Sequence, residues 1–488
     1  MRRAKIVCTL GPATESSEQV QALVDAGMNV ARINRSHGSA EEAEVLIGKV
    51  RAAAEASGRP VAVLVDLQGP KIRLGTFVGD QKVKLDKGDE FTITIDDVLG
   101  TVKRVSTTFK GLPGDCKPGD RLLIDDGNVA VRVTAVTDTD VITKVEVPGY
   151  VSNHKGLNLP GVAVSVPALS EKDREDLRWA LTRADADMIA LSFVRSASDI
   201  DDVHAIMDEV GVRLPVIAKI EKPQAVDKLF EIVSAFDGIM VARGDLGVEM
   251  PLEAVPLVQK RAIELARRQA KPVIVATQVL ESMIQNPRPT RAEASDCANA
   301  ILDGADAVML SGETSVGAYP IEAVRTMARI IENVEDHGGD RIAPLGSDPQ
   351  TRGGAITRAA AEMGDQLEVT HLVTFTQSGD TARRLSRLRS PIPLLAFTPL
   401  RSTRNQLSVS WGVTTYEVPE VSDTDEMVAQ VDEVLQARHL ARAGDEVVIV
   451  AGMPPGTPGS TNSIRVHIVG ETELNRSEER RVGKECRS

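Results

Sequence analysis

Lys219 and Glu221 stand two apart in the Val- and Ile-rich run 216–221, so on a strand their side chains point the same way. The next apolar run, 238–243, leads into Arg243-Gly244-Asp245, which sets a second carboxylate at a matching level. Two carboxylates with few other oxygen donors suit Mg²⁺ or Mn²⁺, ions that keep waters and take substrate oxygens. Arg32, near the end of the run 29–34, joins Lys219 as fixed positive charge. A divalent metal beside a Lys and an Arg is what a phosphoryl group or an enolate needs. The bland alternative pairs Glu221 and Asp245 with Lys219, Lys222 and Arg243 as ordinary salt bridges. Polar residues that end further apolar runs favour a site: Asn34 to His37, Asp66 to Arg73, Thr277-Gln278 and Ser311 to Glu313. His37 sits in a rich segment, where packing and a direct role are equally open.

The elements that must position these residues alternate regularly. Strand-like runs fall at 6–10, 29–34, 61–67, 188–193, 216–221, 238–243, 273–277 and 307–311. Helical periodicity fills 17–26, 40–56, 171–184, 198–210, 224–235, 252–269, 291–303 and 321–334. Strands flanked by helices pair in parallel, and eight such units over about 250 residues fit a (β/α)8 TIM barrel, with active residues at the C-terminal strand ends. A doubly wound sheet is the alternative, but no G-x-G-x-x-G follows the first strand. Between 67 and 171 the period changes to two, with strands at 82–85, 91–95, 121–124 and 129–133 between Gly, Pro and Asp-Gly turns. An inserted all-β lid is expected there, leaving the active face of the barrel. A third, α/β region follows the loop 337–349 and runs from 355–363 and 371–376 to 447–451 and 464–468. The expected domains are a barrel (1–69 with 168–338), a lid (70–167) and a C-terminal α/β regulatory domain (339–474). Residues 475–488, NRSEERRVGKECRS, read as a disordered or non-native tail.

Composition limits the function. Lys and Arg number 57 against 70 Asp and Glu, a formal net charge of −13, which argues against nucleic-acid binding by bulk charge. Hydrophobic residues at 42% are too many for disorder, and no apolar run is long enough to cross a membrane. With aromatics at 3%, the core must be aliphatic. The four cysteines are dispersed and the N-terminal segment shows no signal-peptide core, so a cytoplasmic location is expected. A P-loop, H-E-x-x-H, G-x-S-x-G and Cys/His metal clusters are all missing from the sequence.

The segments ARINRSHG (31–38), VDLQGPKIRLG (65–75), NHKGLNLPG (153–161), IAKIEKP (217–223), MVARGDLGVE (240–249), ATQVLESMI (276–284) and the stretch 289–314 together closely resemble the pyruvate kinase family. The similarity runs from residue 1 to about 470, in the family's order and spacing. It implies phosphoryl transfer from phosphoenolpyruvate to ADP, giving pyruvate and ATP at the end of glycolysis. By the same resemblance, Glu221 and Asp245 hold the divalent metal, and Lys219 faces the transferring phosphoryl and the enolate oxygen. Arg32 holds the phosphoryl. Gly244, Asp245, Arg243 and Thr277 receive the carboxylate. Asn34, His37, Arg73 and Lys155 serve the nucleotide when the lid closes. A homotetramer is implied as well. Enolate protonation is assigned to a water chain ordered by Thr277 with Ser311 and Glu313.

The sequence departs from most of the family in two places. Most relatives hold K⁺ at positions matching Asn34, Ser36, Asp66 and the Leu67 carbonyl, and carry Glu where this chain has Lys71. A Lys ammonium can take the place of that ion, so Lys71 is expected to pair with Asp66 and K⁺ not to be required; the plain alternative is a solvated hinge residue. The loop Thr376 to Thr381 resembles the family's sugar-phosphate effector loop, with Thr376, Ser378, Gly379 and Thr381 as candidates, though Ser378 or Asp380 could simply cap a helix. The second loop, 452–457, lacks the Trp and Arg that grip a second phosphate, which points to a sugar monophosphate or AMP. Two other readings are a Mg²⁺-dependent enolate lyase or aldolase on a similar barrel, which would need no nucleotide lid, and a catalytically dead metabolite sensor.

Overall fold

The computed structural model describes residues 2–456 and 459–471. The proposed tail at 475–488 lies outside the described residues. Eight parallel strands close into a barrel: β1 (Lys5–Thr9), β2 (Val30–Asn34), β3 (Ala62–Asp66), β4 (Met188–Leu191), β5 (Val216–Ile220), β6 (Gly238–Ala242), β7 (Val273–Ala276) and β8 (Ala307–Leu310). Each strand pairs with its sequence neighbour, and β8 pairs with β1. The closed ring removes the doubly wound alternative.

Helix starts follow local chemistry. Ser16 accepts from the Gln19 amide at 3.1 Å and starts Ser17–Ala26. Ser39 with Glu42, Ser170 with Asp173 and Thr290 with Glu293 form reciprocal capping boxes. Two expected helices are interrupted: 224–235 divides into Pro223–Asp227 and Leu229–Ala235, and 252–269 opens with a 3₁₀ turn before Val255–Arg268. The run after β6, expected as loose strand-end residues, is a short helix, Arg243–Glu249.

The barrel core has two shells. Inside the ring, Val7, Val30, Leu64, Met188, Ile217, Met240, Ile274 and Met309 pack together, and Val409 of the C-terminal domain joins them. Between strands and helices lies a larger aliphatic layer in which Phe236 is the only phenylalanine. The scarcity of aromatics is thus met by Val, Ile, Leu and Ala.

The insertion is all-β. Its main sheet runs Leu157–Asn158, Arg121–Ile124, Val129–Val136, Asp140–Val147, Glu90–Thr94 and Arg104–Ser106 in spatial order, and a separate pair joins Val83–Leu85 to Gly149–Val151. Its core, centred on Phe77, Phe91, Ile93, Leu112 and Leu122, is separate from the barrel's. The C-terminal domain carries a five-stranded sheet: β9 (His371–Phe375), β10 (Leu394–Thr398), β11 (Val413–Glu417), β12 (Glu446–Gly452) and β13 (Thr461–Ile468). The spatial order is β11-β10-β9-β12-β13, parallel except for β13. This domain is tied to the barrel where the Lys5 ammonium donates to the Val413 carbonyl at 2.9 Å and the Trp411 amide donates to Asp306 at 3.0 Å. Among the described residues, no helix is long and apolar enough to cross a membrane.

Because the lid has its own core, Phe91→Ala should cost about 3–5 kcal/mol there. Differential scanning calorimetry should show the lid melting earlier while the barrel transition holds; a single transition shifting as a whole would refute this independence.

Candidate active site

The chemistry gathers at the C-terminal mouth of the barrel, as β/α geometry requires. Arg32 on β2 meets Asp66 at the end of β3, Nε to Oδ2 at 2.7 Å, and donates to Thr9 Oγ1 on β1 at 2.9 Å. Lys219 on β5 places Nζ 3.1 Å from Glu221 Oε1, 3.4 Å from Asp66 Oδ1 and 2.9 Å from Ser192 Oγ. Ser192 in turn donates to the Leu67 carbonyl at 2.8 Å. The other Glu221 oxygen accepts from the Phe193 amide at 2.6 Å. All six polar side chains are at most 9% exposed.

Burial and charge act against each other in this chain. Burial pushes the Asp66 carboxyl up, but the charges of Lys219 and Arg32 outweigh it and hold Asp66 below the ordinary carboxylate range. Burial likewise pulls the Lys219 ammonium down, and Asp66 and Glu221 more than reverse it. Glu221 goes the other way: burial raises it, Lys219 only partly offsets that, and the Asp245 charge raises it further.

Asp245 lies in the first turn of Arg243–Glu249 and forms no ion pair among the described residues. Lys222 binds Glu249 at 2.5 Å and Arg243 binds Asp296, so the salt-bridge alternative holds only for Lys219 with Glu221. The acidic pair fits an oxygen-preferring divalent cation. Burial and the neighbouring Asp245 charge both work against an ionised Glu221, and a bound cation would offset both. No group of three or more His, Cys, Asp or Glu side chains forms a metal cluster among the described residues. Two protein carboxylates therefore leave most of the coordination sphere to water and substrate.

Thr277 directly follows β7 with φ +67°, and Gln278 comes next at +55°. A β-branched residue rarely adopts that conformation. Its hydroxyl accepts from the Gly244 amide and donates to the Ala276 carbonyl, each at 2.7 Å. Arg243 does not face the site freely, as a carboxylate receiver would. Its guanidinium is bidentate to Asp296 at 2.6 and 2.7 Å and donates to the Thr277 carbonyl at 2.9 Å, so it braces the Thr277 turn. Glu313 is also committed: its oxygens accept from the Leu280 amide at 3.1 Å and the Ser311 amide at 2.7 Å. Of the expected water-chain residues, only Ser311 keeps a buried hydroxyl without a partner.

Beside these groups opens a cleft of about 1050 Å³ lined by Arg32, Asn34, Arg35, His37, Ser311 and Gly312 among others. The structure thus brings Asn34 and His37 to it. Asn34 Oδ1 also accepts from the Ser36 amide at 3.1 Å, which fixes the turn. Arg73 and Lys155 are not part of this lining. Arg73 donates to the His154 carbonyl at 3.0 Å and Lys155 pairs with Asp125 at 2.8 Å, both within the lid.

The expected Lys71–Asp66 pair is not formed. Both Asp66 oxygens are engaged by Arg32 and Lys219, and Lys71 lies on the hinge, where a Cβ at Gly156 would stand 3.1 Å from its Cε. In the C-terminal loop, the Thr376 hydroxyl accepts from the Gly379 amide at 2.8 Å and Thr381 shares a 2.7 Å hydrogen bond with Thr461. Asp380 pairs with Arg384 at 2.6 Å, and Gly379, at φ +81°, precedes the helix Asp380–Ser386, so neither Ser378 nor Asp380 is its cap residue. Ser378 and the loop backbone line a cleft with Pro455 and Gly456. Sequence reasoning missed Ser192 as the partner of Lys219 and Asp296 as the partner of Arg243. Only the place of Ser192 just past a strand end signalled the first.

Comparison with known proteins agrees with this geometry. The model described as "Pyruvate kinase, barrel domain" matches residues 1–324, and "Pyruvate kinase, alpha/beta domain" matches residues 354–467. A pyruvate kinase of Mycobacterium tuberculosis is 57% identical over 473 residues, covering 97% of this chain and 100% of that protein. One from Corynebacterium glutamicum is 57% identical over 470 residues, covering 96% and 98%. The crystal structure of a pyruvate kinase from Cryptosporidium parvum superposes with a TM-score of 0.89 at 34% identity, covering 96% of each chain. With both family models matched, over residues 1–324 and 354–467, and relatives 57% identical over nearly the whole chain, the chain belongs to the pyruvate kinase family.

Proposed function

We infer that this site transfers the phosphoryl group of phosphoenolpyruvate to ADP, giving pyruvate and ATP. The observation that carries the reading is the buried Arg32–Asp66–Lys219–Glu221 chain, set beside an unpaired Asp245 and reaching, through Arg32, the cleft that Asn34 and His37 line. Phosphoryl transfer asks little covalent work of the protein; it asks for positioning and fixed charge. Lys219 is held from three sides and so presents its cation where negative charge develops on the enolate and the phosphoryl. Arg32, oriented by Asp66 and Thr9, binds the phosphoryl oxygens. Gly244, Asp245 and Thr277 receive the substrate carboxylate, with Arg243 as a brace. Mg²⁺ or Mn²⁺ held by Glu221 and Asp245 supplies charge neutralisation when bound. Asn34 and His37 border the nucleotide, and Arg73 and Lys155 reach it as the lid swings in. Thr277 and Ser311 order the water that protonates the enolate.

Several finer readings belong to the same proposal. Lys71, on the hinge, moves with the lid and serves in place of a monovalent cation at the Asn34, Ser36, Asp66 and Leu67 position, so K⁺ is dispensable. The loop around Ser378 and Gly379 receives a sugar monophosphate or AMP as effector. The enzyme is cytoplasmic and a homotetramer; Phe230, Leu252 and Leu257, between 59% and 72% exposed, supply apolar surface for self-association. The domain boundaries are 1–69 with 168–338, 70–167 and 339–474.

Three measurements test this reading. Pyruvate formation from phosphoenolpyruvate and ADP with Mg²⁺, coupled to lactate dehydrogenase, should proceed at equal rates in K⁺-free buffer and with added KCl. A rate that rises only with KCl would remove the role given to Lys71, and no rate in either buffer would remove the transferase itself. Lys219→Ala should lower kcat by at least about 10²–10³, or ~2.7–4 kcal/mol, as loss of one preorganised donor does. A smaller drop in the same assay would show that the cation is not at the reacting atoms. Thr277→Val keeps the branched shape and removes the hydroxyl. It should slow exchange of the pyruvate methyl protons by about 10²-fold or more, the range of proton-transfer assistance. NMR exchange at the unmodified rate would take Thr277 out of the protonation step.

A further inference from the structure

The lid leaves the barrel after β3 and returns to it before the helix Glu171–Thr182. Both crossings meet at one side chain. Asp173, in the first turn of that helix, accepts from the Gly69 amide on Oδ1 at 3.0 Å. Its Oδ2 accepts from the Ser170 amide at 2.9 Å and from the Ser170 hydroxyl at 2.7 Å. Gly69 lies three residues past β3, and Ser170 directly precedes the helix.

The start of a helix accounts for only half of this arrangement. Oδ2 completes the capping box with Ser170. Glu42 makes the same box at the start of Ala40–Ser57, and it is exposed. Asp173 is fully buried, and its neighbour Lys172 is paired with Asp176 instead. Asp173 forms no ion pair among the described residues. A buried carboxylate without a cation is costly and persists where charge-assisted hydrogen bonds fill its oxygens. A cap needs one oxygen. The other reaches a backbone amide 104 residues earlier in the chain.

The outgoing limb is confined at Gly69. Its φ is +76°, and a Cβ there would stand 2.7 Å from both Ser192 Cβ and Phe193 Cδ2. Ser192 is the residue that accepts from Lys219 and donates to the Leu67 carbonyl. Beyond Gly69 come only Pro70 and Lys71 before the lid's own pairing begins. The Leu157 amide donates to the Ile72 carbonyl and the Leu74 amide to the Lys155 carbonyl, each at 2.9 Å. Arg73 and Lys155 sit on these paired segments, Arg73 four residues from Gly69. The returning limb is held to the barrel as well, where Arg195 donates to the Val164 and Val166 carbonyls at 2.6 and 2.5 Å.

We propose that Asp173 is a positioning residue of the transfer reaction: its carboxylate clamps both limbs of the lid to the barrel and so sets where Arg73 and Lys155 arrive when the lid closes on the nucleotide. The inference rests on the reading of the site as a nucleotide-using transferase. Asp173 touches no reacting atom. It acts through Gly69, and an error at Gly69 reaches Arg73 across a link of two free residues. Misplacement by about 1 Å is enough to slow such a reaction strongly.

The test compares Asp173→Asn with Ser170→Ala in the full chain. Asparagine keeps the shape but replaces one acceptor oxygen by an NH₂ group, which sets donor against donor at Gly69 or at Ser170. Ser170→Ala removes the capping hydroxyl and leaves both backbone bonds to the carboxylate. In Asp173→Asn the KM for ADP should rise at least about tenfold, while that for phosphoenolpyruvate, whose proposed partners all lie on the barrel, moves by less than about twofold. Ser170→Ala should leave both in place. Amide exchange of residues 67–72, followed by mass spectrometry, should be at least about tenfold faster in Asp173→Asn and unchanged in Ser170→Ala. This second readout needs no substrate, so it stands or falls apart from the reaction assigned to the site. Gly69→Ala disturbs the clamp from the other limb and should speed the same exchange, which keeps the proposal testable if Asp173→Asn does not fold. The proposal is overturned if exchange of 67–72 matches the parent in Asp173→Asn or in Gly69→Ala, if the two KM values rise together in Asp173→Asn, or if Ser170→Ala reproduces its effects.

Discussion

The site depends on one arrangement: the Asp66 carboxylate buried between Arg32 and Lys219. Taking a charge out of water costs several kcal/mol, and breaking a buried pair costs about 3–5 kcal/mol because the remaining partner is stranded. Asp66 therefore fixes both cations at the mouth of the barrel, and Glu221 completes a set of two positive and two negative side chains. The barrel makes this possible through register. Asp66 on β3 lies opposite Asn34 of β2 and Ala190 of β4, so side chains from β2, β3 and β5 and the turn after β4 converge at one height. A shift of one residue in any of these strands would turn its charged group from the mouth of the barrel to the helical layer.

Much of this was legible in the sequence because it depends on period and place. Lys219 and Glu221 read as neighbours from a spacing of two, and they are 3.1 Å apart. The barrel strands and the lid with its change of period follow from local pattern as well. What was not legible is partner choice over distance. Arg243 was read as a carboxylate receiver because it adjoins Gly244 and Asp245, yet it is claimed by Asp296, fifty-three residues on. Lys71 carries the right charge for Asp66, but Arg32 and Lys219 occupy both oxygens first. Glu313 similarly looks catalytic at a strand end and is used by two backbone amides. Residue type shows what a group can do; only packing shows which of several competitors it meets.

The lid illustrates how a separate domain is kept in line with the site. Its last strand, Leu157–Asn158, sends the Asn158 amide to Glu249 at 2.8 Å, and the same Glu249 oxygen takes Lys222 at 2.5 Å. Lys222 follows Glu221, and Glu249 ends the short helix that carries Asp245. One buried carboxylate thus joins the lid to both sides of the acidic pair. The lid core and the barrel core do not merge, so this tie, rather than a shared core, fixes the placement of the lid's root.

Thr277 shows the cost of positioning. A β-branched residue at φ +67° carries about 1–3 kcal/mol of strain, which persists only where its surroundings enforce it. Here they do so from both sides. The Gly244 amide holds the hydroxyl, Arg243 holds the carbonyl, and Asp296 holds Arg243 with two hydrogen bonds. Glycine would relieve the backbone but remove the hydroxyl. Serine would keep the hydroxyl but free its rotation. Threonine in a strained turn is the choice that fixes one hydroxyl between the Ala276 carbonyl, to which it donates, and the Gly244 amide beside Asp245, from which it accepts, and the bidentate Arg243–Asp296 pair is what keeps the turn there.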